Sequence, residues 1–520
     1  MTKITKIHLI NYKRFRNYTI EPNDKINILV GDNEVGKTSI LEAIELVSSG
    51  NIKKVENIGI DKLLNVDAIE EFNLGTRVFD YLPKIIVELY LEGNFDYTMN
   101  GKNNTENRIC DGIRLVCEPN QDYQNEIKDI LCSCDDYFPF DYYSIRFSTF
   151  ADEAYTGYKK KINTALIDSS NMNSEYVTNE FIKKMYNHYT DIDIKERATH
   201  KSKYRLMRDK FSSNAFNLLN NRVPADKNYS FGLKKGSYLN LENDLMIYED
   251  KVSIDNKGTG KQIFIKTDFA LKRFGENIDI VLIEEPENHL SHVNLRKLIQ
   301  LISSTQSGQL FISTHSSLIS TRLELNNLLI MSIKDNFKPV MLHDLKDETS
   351  KYFKKVPPAN IIEYSLSDKT ILVEGPSEFM LLEKFYEIVN GNKPEKDNVH
   401  ILDIRGLSFK RYLEIAKITG NKVAVITDND GNYQKNCIDK YIDFNSSNNI
   451  KVFFDDDNNK TTFEKVFYYD NKELCEDYFK GNTLEYMLNN KTEAAYKILI
   501  ESNKIFVPKY IMRAIEWIKE

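Results

Sequence analysis

Nowhere in the 520 residues does an apolar run approach the roughly 18 consecutive residues that a membrane-spanning helix needs. The N-terminal MTKITKIHLINYKRF alternates apolar and polar residues and lacks the apolar centre of a secretion signal, so a cytosolic protein is expected. Cysteine is sparse: six residues, at positions 110, 117, 132, 134, 437 and 475, with no CxxC pair among them. That spacing supports neither a zinc ribbon nor a disulfide framework. Positive charge is not in excess either, since 70 Lys+Arg face 77 Asp+Glu for a formal charge of −7. A protein that coats nucleic acid through bulk charge is excluded, whereas a local basic groove is not. What remains is ordinary globular composition, 41% hydrophobic and 28% charged, in a chain too long for one compact core. Two or three domains are expected.

Order along the chain says more. Ile4, Ile7 and Leu9 alternate with polar residues and lead to a basic turn at Lys13, Arg14 and Arg16. A second strand, Ile26–Val30, runs into Gly31-Asp-Asn-Glu-Val-Gly36-Lys37-Thr38-Ser39, behind which Ile40, Leu41, Ala43, Ile44 and Val47 have helical spacing. Strand, glycine loop and helix in this order complete the phosphate-binding pattern GxxxxGK[ST]. Its glycines let backbone N–H groups wrap the phosphates, Lys37 reaches the β/γ-oxygens, and Thr38 offers a hydroxyl to Mg²⁺. The candidate ATP-binding residues are therefore Gly31, Asn33, Gly36, Lys37, Thr38 and Ser39. A chance match in a glycine-bearing turn would not be framed by a strand and a helix.

Far downstream, the apolar strand Ile278–Ile283 ends in Glu284-Glu285-Pro286-Glu287-Asn288-His289. Paired carboxylates at a strand end can place one, Glu284, on the metal's water shell and the other, Glu285, beside the attacking water. A solvated acidic strand end would look the same. The following strand, however, delivers Ser313-Thr314-His315-Ser316, and His315 suits a γ-phosphate sensor. About 250 residues separate Lys37 from Glu285, more than a simple nucleotide-binding core needs, so something is inserted between the halves. Residues 150–235, rich in Lys, Tyr and Asn, predict a helical insertion that packs on the ATPase or mediates self-association. Residues 1–149 and 236–355 then form the two parts of the ATP-binding domain, and Val356–Asn360 reads as a linker.

A second α/β block occupies 366–520, with strands at 370–373, 399–404 and 422–427, helices at 377–389 and 409–418, and a largely helical end from 461. Its first strand ends in Glu374-Gly375-Pro376-Ser377-Glu378, and its third in Asp428-Asn429-Asp430-Gly431. Alternation puts both Asp side chains on one side, and Glu378 falls on the first helical turn. Four carboxylates at neighbouring strand ends repel one another unless divalent cations lie between them, and oxygen-only ligation suits Mg²⁺ or Mn²⁺. Asp455-Asp456-Asp457 reads as a solvated acidic loop.

The NYKRFRN start, the split ATP motifs, the EEPE strand end and STHS resemble the ABC-type ATPases of the SMC/RecF kind. Such proteins complete each ATP site with a signature loop from a second subunit, and Asn256–Gln262 is the corresponding segment here. It departs from the usual Ser-Gly-Gly, and Glu284 stands where those ATPases have Asp. The EGxxE…DxD order resembles the Toprim domain of topoisomerases, primases and some nucleases, with Arg405-Gly406 at another place where that fold has a glycine turn. The two together resemble the OLD (overcoming lysogenization defect) family of bacterial nucleases over nearly the whole chain except 150–235. The expected fold class is α/β: an ABC-type ATPase with a helical insertion, then a Rossmann-like Toprim domain. By this resemblance Glu374, Glu378, Asp428 and Asp430 are metal ligands. Thr462-Phe463-Glu464 fits the family's Ser/Thr-x-Glu element on a second metal, and Lys509 matches the basic residue that stabilises charge on the cleaved phosphate. The implied cofactors are ATP and Mg²⁺, with Mn²⁺ or Ca²⁺ as alternatives at the nuclease site.

The resemblance implies a metal-dependent DNA endonuclease controlled by ATP, acting in antiphage defence as a homodimer or dimer-based oligomer. Its context is standalone, beside a helicase-like partner as in Gabija systems, or with a retron reverse transcriptase and its small DNA. The rival class is a non-nucleolytic ATPase that binds DNA or partner proteins, with the Toprim block as scaffold. The complete set of acidic residues speaks against degeneracy. A Toprim primase lacks support, since neither a zinc-binding domain nor a basic polymerase-like module is present.

Overall fold

In the computed structural model, the described residues are 2–133, 137–157, 160–168, 182–190 except 184 and 188, 194–223, 230–233, 241–272, 278–304 except 289, 308–331, 339–356, 360–501 except 407 and 480, and 505–520. The chain forms two compact units, one of residues 162–310 and the other of residues 2–161 with 311–520.

The larger unit opens with an antiparallel sheet of strands Lys3–Tyr12, Phe15–Ile20, Ile85–Glu92, Cys110–Pro119 and Tyr143–Thr149. Ile4, Ile7, Leu9 and Tyr12 of the first strand are buried; Ile7 and Leu9 alternate, and a register shift against Ile85–Glu92 between Ile4 and Lys6 brings Ile4 to the core as well. A parallel pair follows, Ile26–Gly31 against Leu328–Met331, with Val30 opposite Ile330 and Gly31 opposite Met331. Both strands are almost wholly buried, as strands covered on two faces are. Helix Lys37–Ser49 leaves the first of these and buries Ile40, Leu41, Ala43, Ile44 and Val47.

The C-terminal part of the same unit is a four-stranded, all-parallel sheet. Strand Lys369–Val373 lies between Val399–Asp403 and Lys422–Ile426, and Ile450–Phe453 flanks the last. Helices Pro376–Asn390 and Phe409–Thr419 make the crossovers, and helices between 463 and 519 complete the core around Phe385, Phe467 and Ile515. Parallel strands joined through helices bring successive strand ends to one edge, where ligands of such sheets bind. Tyr364, on helix Ile361–Leu366 just before this sheet, donates its hydroxyl to the Tyr412 carbonyl at 2.8 Å and ties the preceding segment to it. The linker expected at 356–360 falls mostly outside the described residues.

In the smaller unit, strand Thr164–Asp168 runs parallel to Ile280–Glu284 in register from Ile280 opposite Thr164 to Glu284 opposite Asp168. Helices Ile194–Ala215, Thr259–Lys272 and His292–Ser304 belong to it. The segment 150–235, expected to be helical, thus holds a sheet strand as well as a 22-residue helix. Five residues of TALID show too short a period to separate strand from coil by pattern.

Candidate functional site

The phosphate loop is built by shape before charge. Gly36 caps helix Lys37–Ser49 with φ 98°, a left-handed conformation that side chains resist. A Cβ there would lie 2.5 Å from Cζ of Phe15, so only glycine lets the basic turn after strand Lys3–Tyr12 close over the loop. Lys37 is buried, and its ammonium donates to the carbonyls of Gly31 at 2.8 Å and Asp32 at 2.9 Å. Asn33 and Thr38 are exposed and Ser39 half-buried at the helix start. The helix N-terminus and the loop amides make a ready anion site.

Thr314 is fully buried, donates its amide to the Leu29 carbonyl at 3.1 Å, and leaves His315 exposed at the strand end. His315 and Asp32 line a cleft of about 630 Å³ together with Glu363, Asp368 and His400. Glu284 and Glu285 belong to the smaller unit, at the end of strand Ile280–Glu284. Glu285 has a left-handed backbone (φ 41°), and its carboxylate accepts from the Asn288 amide side chain at 2.6 Å. Helix Thr259–Lys272 follows Asn256-Lys257-Gly258, so the signature-like segment does open a helix.

The second site lies on the carboxyl edge of the parallel sheet. Glu374 follows strand Lys369–Val373, its carbonyl held by the amide of Gly406 at 3.1 Å. Glu378 lies in the first turn of helix Pro376–Asn390 and folds back over Gly375, where a Cβ would stand 3.4 Å from its Oε2. Asp428 follows strand Lys422–Ile426 and accepts a 2.8 Å bond from the amide of Phe463. That amide begins helix Phe463–Asp470, so Asp428 serves as the cap which Thr462, at the N-cap position, does not provide with its side chain. Asp430 is exposed with φ 46°, and its amide donates to the Thr461 carbonyl. Buried Asn429 between the two aspartates donates to the carbonyls of Asp455 and Asp457, both at 2.9 Å, and so fastens the acidic loop to the strand end. Sequence reasoning passed over Asn429, whose place inside DxD was the available signal.

Glu464, on the same first turn as Phe463, is 4% exposed. The buried Thr462 hydroxyl beside it has no hydrogen-bond partner. The Lys491 ammonium stands 3.0 Å from Glu464 Oε2 and pairs with it. Burial, and then the charges of Glu378, Glu374 and Glu464, push the Asp428 carboxyl up to about 8. Burial, then Glu464 and Glu374, push Glu378 up to about 7. Among the described residues, no three His, Cys, Asp or Glu side chains stand close enough to hold a metal ion between them. The donor set nevertheless suits a hard divalent cation: oxygen atoms only, the buried Thr462 hydroxyl among them unbonded, and carboxyls crowded and buried enough to be pushed upward.

The sign of the resulting pH dependence is fixed. Carboxyls in the unfolded chain ionise near about pH 4. Between there and about pH 8 the folded site holds protons that the unfolded chain has lost. The stabilisation is complete below the unfolded value, declines as pH rises from there, and is gone once pH has passed about 8. Thermal unfolding in EDTA is expected to show Tm falling across this range, with Asp428→Asn flattening the fall. An unchanged slope in Asp428→Asn would count against the assignment.

Sequence placed the basic residue at Lys509, which is exposed on the first residue of helix Lys509–Lys519. The lysine found at the carboxylates is Lys491, on the first residue of helix Lys491–Glu501, and neighbouring Glu464, Asp428 and Glu378 raise its affinity for a proton against the opposing effect of burial. Tyr510, next to Lys509, is buried and lies within the field of Asp428 and Glu378.

A phosphate loop of this form, joined through one chain to a parallel sheet with acidic strand ends, defines an ATPase carrying a Toprim domain. Residues 2–320 match the AAA ATPase domain, and residues 366–430 match the TOPRIM domain of overcoming lysogenization defect protein-like sequences. The chain belongs to the AAA ATPase family and, with that TOPRIM domain, is an ATPase–Toprim protein of the OLD family. It is 25% identical over 264 residues to Endonuclease GajA of Bacillus cereus (strain HuB5-5), a stretch covering 44% of this chain and 37% of GajA. It is 26% identical over 164 residues to the Old nuclease of Escherichia phage P2, covering 29% of this chain and 28% of that one. DNA replication and repair protein RecF of Idiomarina loihiensis (strain ATCC BAA-735 / DSM 15497 / L2-TR) is 38% identical over 132 residues, 24% of this chain and 34% of RecF. The three matches thus span 28% to 37% of the relatives' own lengths.

Proposed function

We propose that this chain is a divalent-metal-dependent DNA endonuclease whose phosphodiester hydrolysis is controlled by its ATPase part. The observation that carries the reading is the carboxylate edge itself, where Glu374, Glu378, Asp428 and Glu464 meet at the strand ends and burial and mutual repulsion push Asp428 and Glu378 upward. The names of two relatives, an endonuclease and a nuclease, support it. Bound at Glu374, Glu378, Asp428, Asp430 and Glu464, with Thr462 as a neutral oxygen, Mg²⁺ or Mn²⁺ would supply Lewis-acid charge to the phosphate and a nucleophilic water. The chain's own part is to fix Asp428 through the Phe463 amide, to hold Glu464 out of bulk water, and to bring the Lys491 ammonium to the edge. No covalent tyrosine is required. Incubating the protein with plasmid and Mg²⁺ or Mn²⁺, with and without ATP, tests the reading, and intact plasmid under every condition would overturn it. Gene neighbours decide among a standalone antiphage effector, a helicase-like partner, and a reverse transcriptase with its small DNA.

Lys491 and Lys509 are the two proposed cations for charge developing on the cleaved phosphate. Single-turnover cleavage is expected to slow by about 10²–10³ in Lys491→Met or Lys509→Met. Mn²⁺ affinity, read by calorimetry, should not fall in either. A variant cleaving at the wild-type rate removes that lysine from the role. We also propose a dimer, with residues 150–235 carrying part of the interface, because the related ATPases complete each site from a second subunit. Light scattering at micromolar concentration should give twice the chain mass, at least with ATP. A monomer under both conditions would dismiss the dimer.

A further inference from the structure

Strand Ile450–Phe453 ends the parallel sheet, paired only with Lys422–Ile426 among the described residues. Along it lie two adjoining cavities of 530 and 410 Å³ that share Lys451, Val452, Phe454 and Trp517. Helix Lys509–Lys519 supplies one wall: Arg513, Glu516, Trp517 and Glu520 recur at the spacing of a single face. Trp517 is the chain's one tryptophan, and it stays partly exposed between both cavities. Its ring leans on Phe453 at 5.9 Å, with the Lys422 ammonium 4.7 Å from its centroid. Across the groove Tyr433 and Phe454 stack at 5.8 Å with 16° between their planes.

One lining residue ties the groove to the carboxylate edge. Tyr433 comes three residues after Asp430, and its amide donates to Asn458 Oδ1 at 3.0 Å, in the acidic loop that Asn429 fastens down. A nucleic-acid strand held at Asp428 and Asp430 thus has aromatic faces beside it. We infer that this groove is a subsite for unpaired bases of the DNA strand engaged at the carboxylates. The inference rests on the nuclease reading for its substrate but not for its chemistry. Bases stack on Trp517 and on the Tyr433–Phe454 pair, while Lys451, Arg513 and Lys422 attract the phosphates between them. Paired bases keep their faces inside the duplex and cannot make these contacts. Asp456, Glu516 and Glu520 repel phosphate but accept hydrogen bonds from exocyclic amino groups, so cytosine is favoured over thymine.

Trp517 is itself the probe. With the full chain in EDTA, where no cleavage occurs, a ten-nucleotide deoxycytidine strand should quench tryptophan fluorescence saturably. A ten-nucleotide thymidine strand should bind several-fold more weakly, and a ten-base-pair duplex about tenfold or more weakly. Tyr433→Ala and the surface change Lys451→Glu should each weaken single-strand binding by roughly fivefold to a hundredfold, with unchanged circular dichroism. Absence of quenching, equal quenching by duplex, or wild-type affinity in Lys451→Glu overturns the subsite. Equal affinity for the two homopolymers overturns the role of the carboxylates. Quenching without plasmid cleavage in Mg²⁺ would leave the subsite standing and bring down the nuclease reading. Cleavage without quenching would do the reverse.

Discussion

Asp428→Ala is expected to reduce single-turnover DNA cleavage below about a thousandth of the wild-type rate, beyond what one lost electrostatic contact costs. Asp428 sits where three influences meet. It terminates a central strand, it caps the Phe463 helix, and it lies in the combined field of Glu374, Glu378 and Glu464. Alanine removes the oxygens through which a cation would join these groups. Removing a crowded charge also relieves repulsion, so in EDTA near pH 8 Asp428→Asn should unfold at a higher temperature than wild type. Gain of stability with loss of cleavage separates a functional carboxylate from a structural one. ATP turnover should persist, because the phosphate loop lies on a different sheet. Cleavage by Asp428→Ala at an appreciable rate would end the Toprim nuclease reading.

Lys37→Ala should lower ATP affinity by about a hundredfold or more, since each charge-assisted contact to phosphate is worth roughly 1.5–3 kcal/mol and several are lost together. The Lys37 ammonium is already drawn over the loop by the Gly31 and Asp32 carbonyls, so it needs little reorganisation to meet phosphate. Lys37→Met, which keeps the buried stem, distinguishes lost charge from a collapsed loop. A fluorescent ATP analogue titrated against both variants reads the effect. Wild-type affinity in Lys37→Met would refute the role of the charge.

The ATP loop was legible because Gly31 to Ser39 are contiguous, and a left-handed turn such as Gly36 restricts which residue can stand there. Glu374, Glu378, Asp428 and Asp430 were legible because strand ends and their alternation are local properties. Lys491 was not. It reaches Glu464 only because the helix it begins packs on Pro376–Asn390, a result of core shape rather than of any short spacing. Strand Thr164–Asp168 escaped for a similar reason: its partner, Ile280–Glu284, lies more than a hundred residues away. Trp517 has no local signal at all: only the packing of its helix beside strand Ile450–Phe453 sets it apart.

Strand Lys369–Val373 gives the cleft beside the phosphate loop a mechanical meaning. Asp368, at the head of this strand, lines that cleft with Asp32 and His315, and Glu374 is the strand's next residue at the far end. Five extended residues span about 17 Å and, hydrogen-bonded on both sides, are stiff along their length. Under the proposed ATP control, a displacement at Asp368 would be passed along this strand to Glu374, and the lateral bonds join it to the strand preceding Asp428. On the proposed control of cleavage by ATP, nucleotide and DNA need not meet, since this strand would join their two sites.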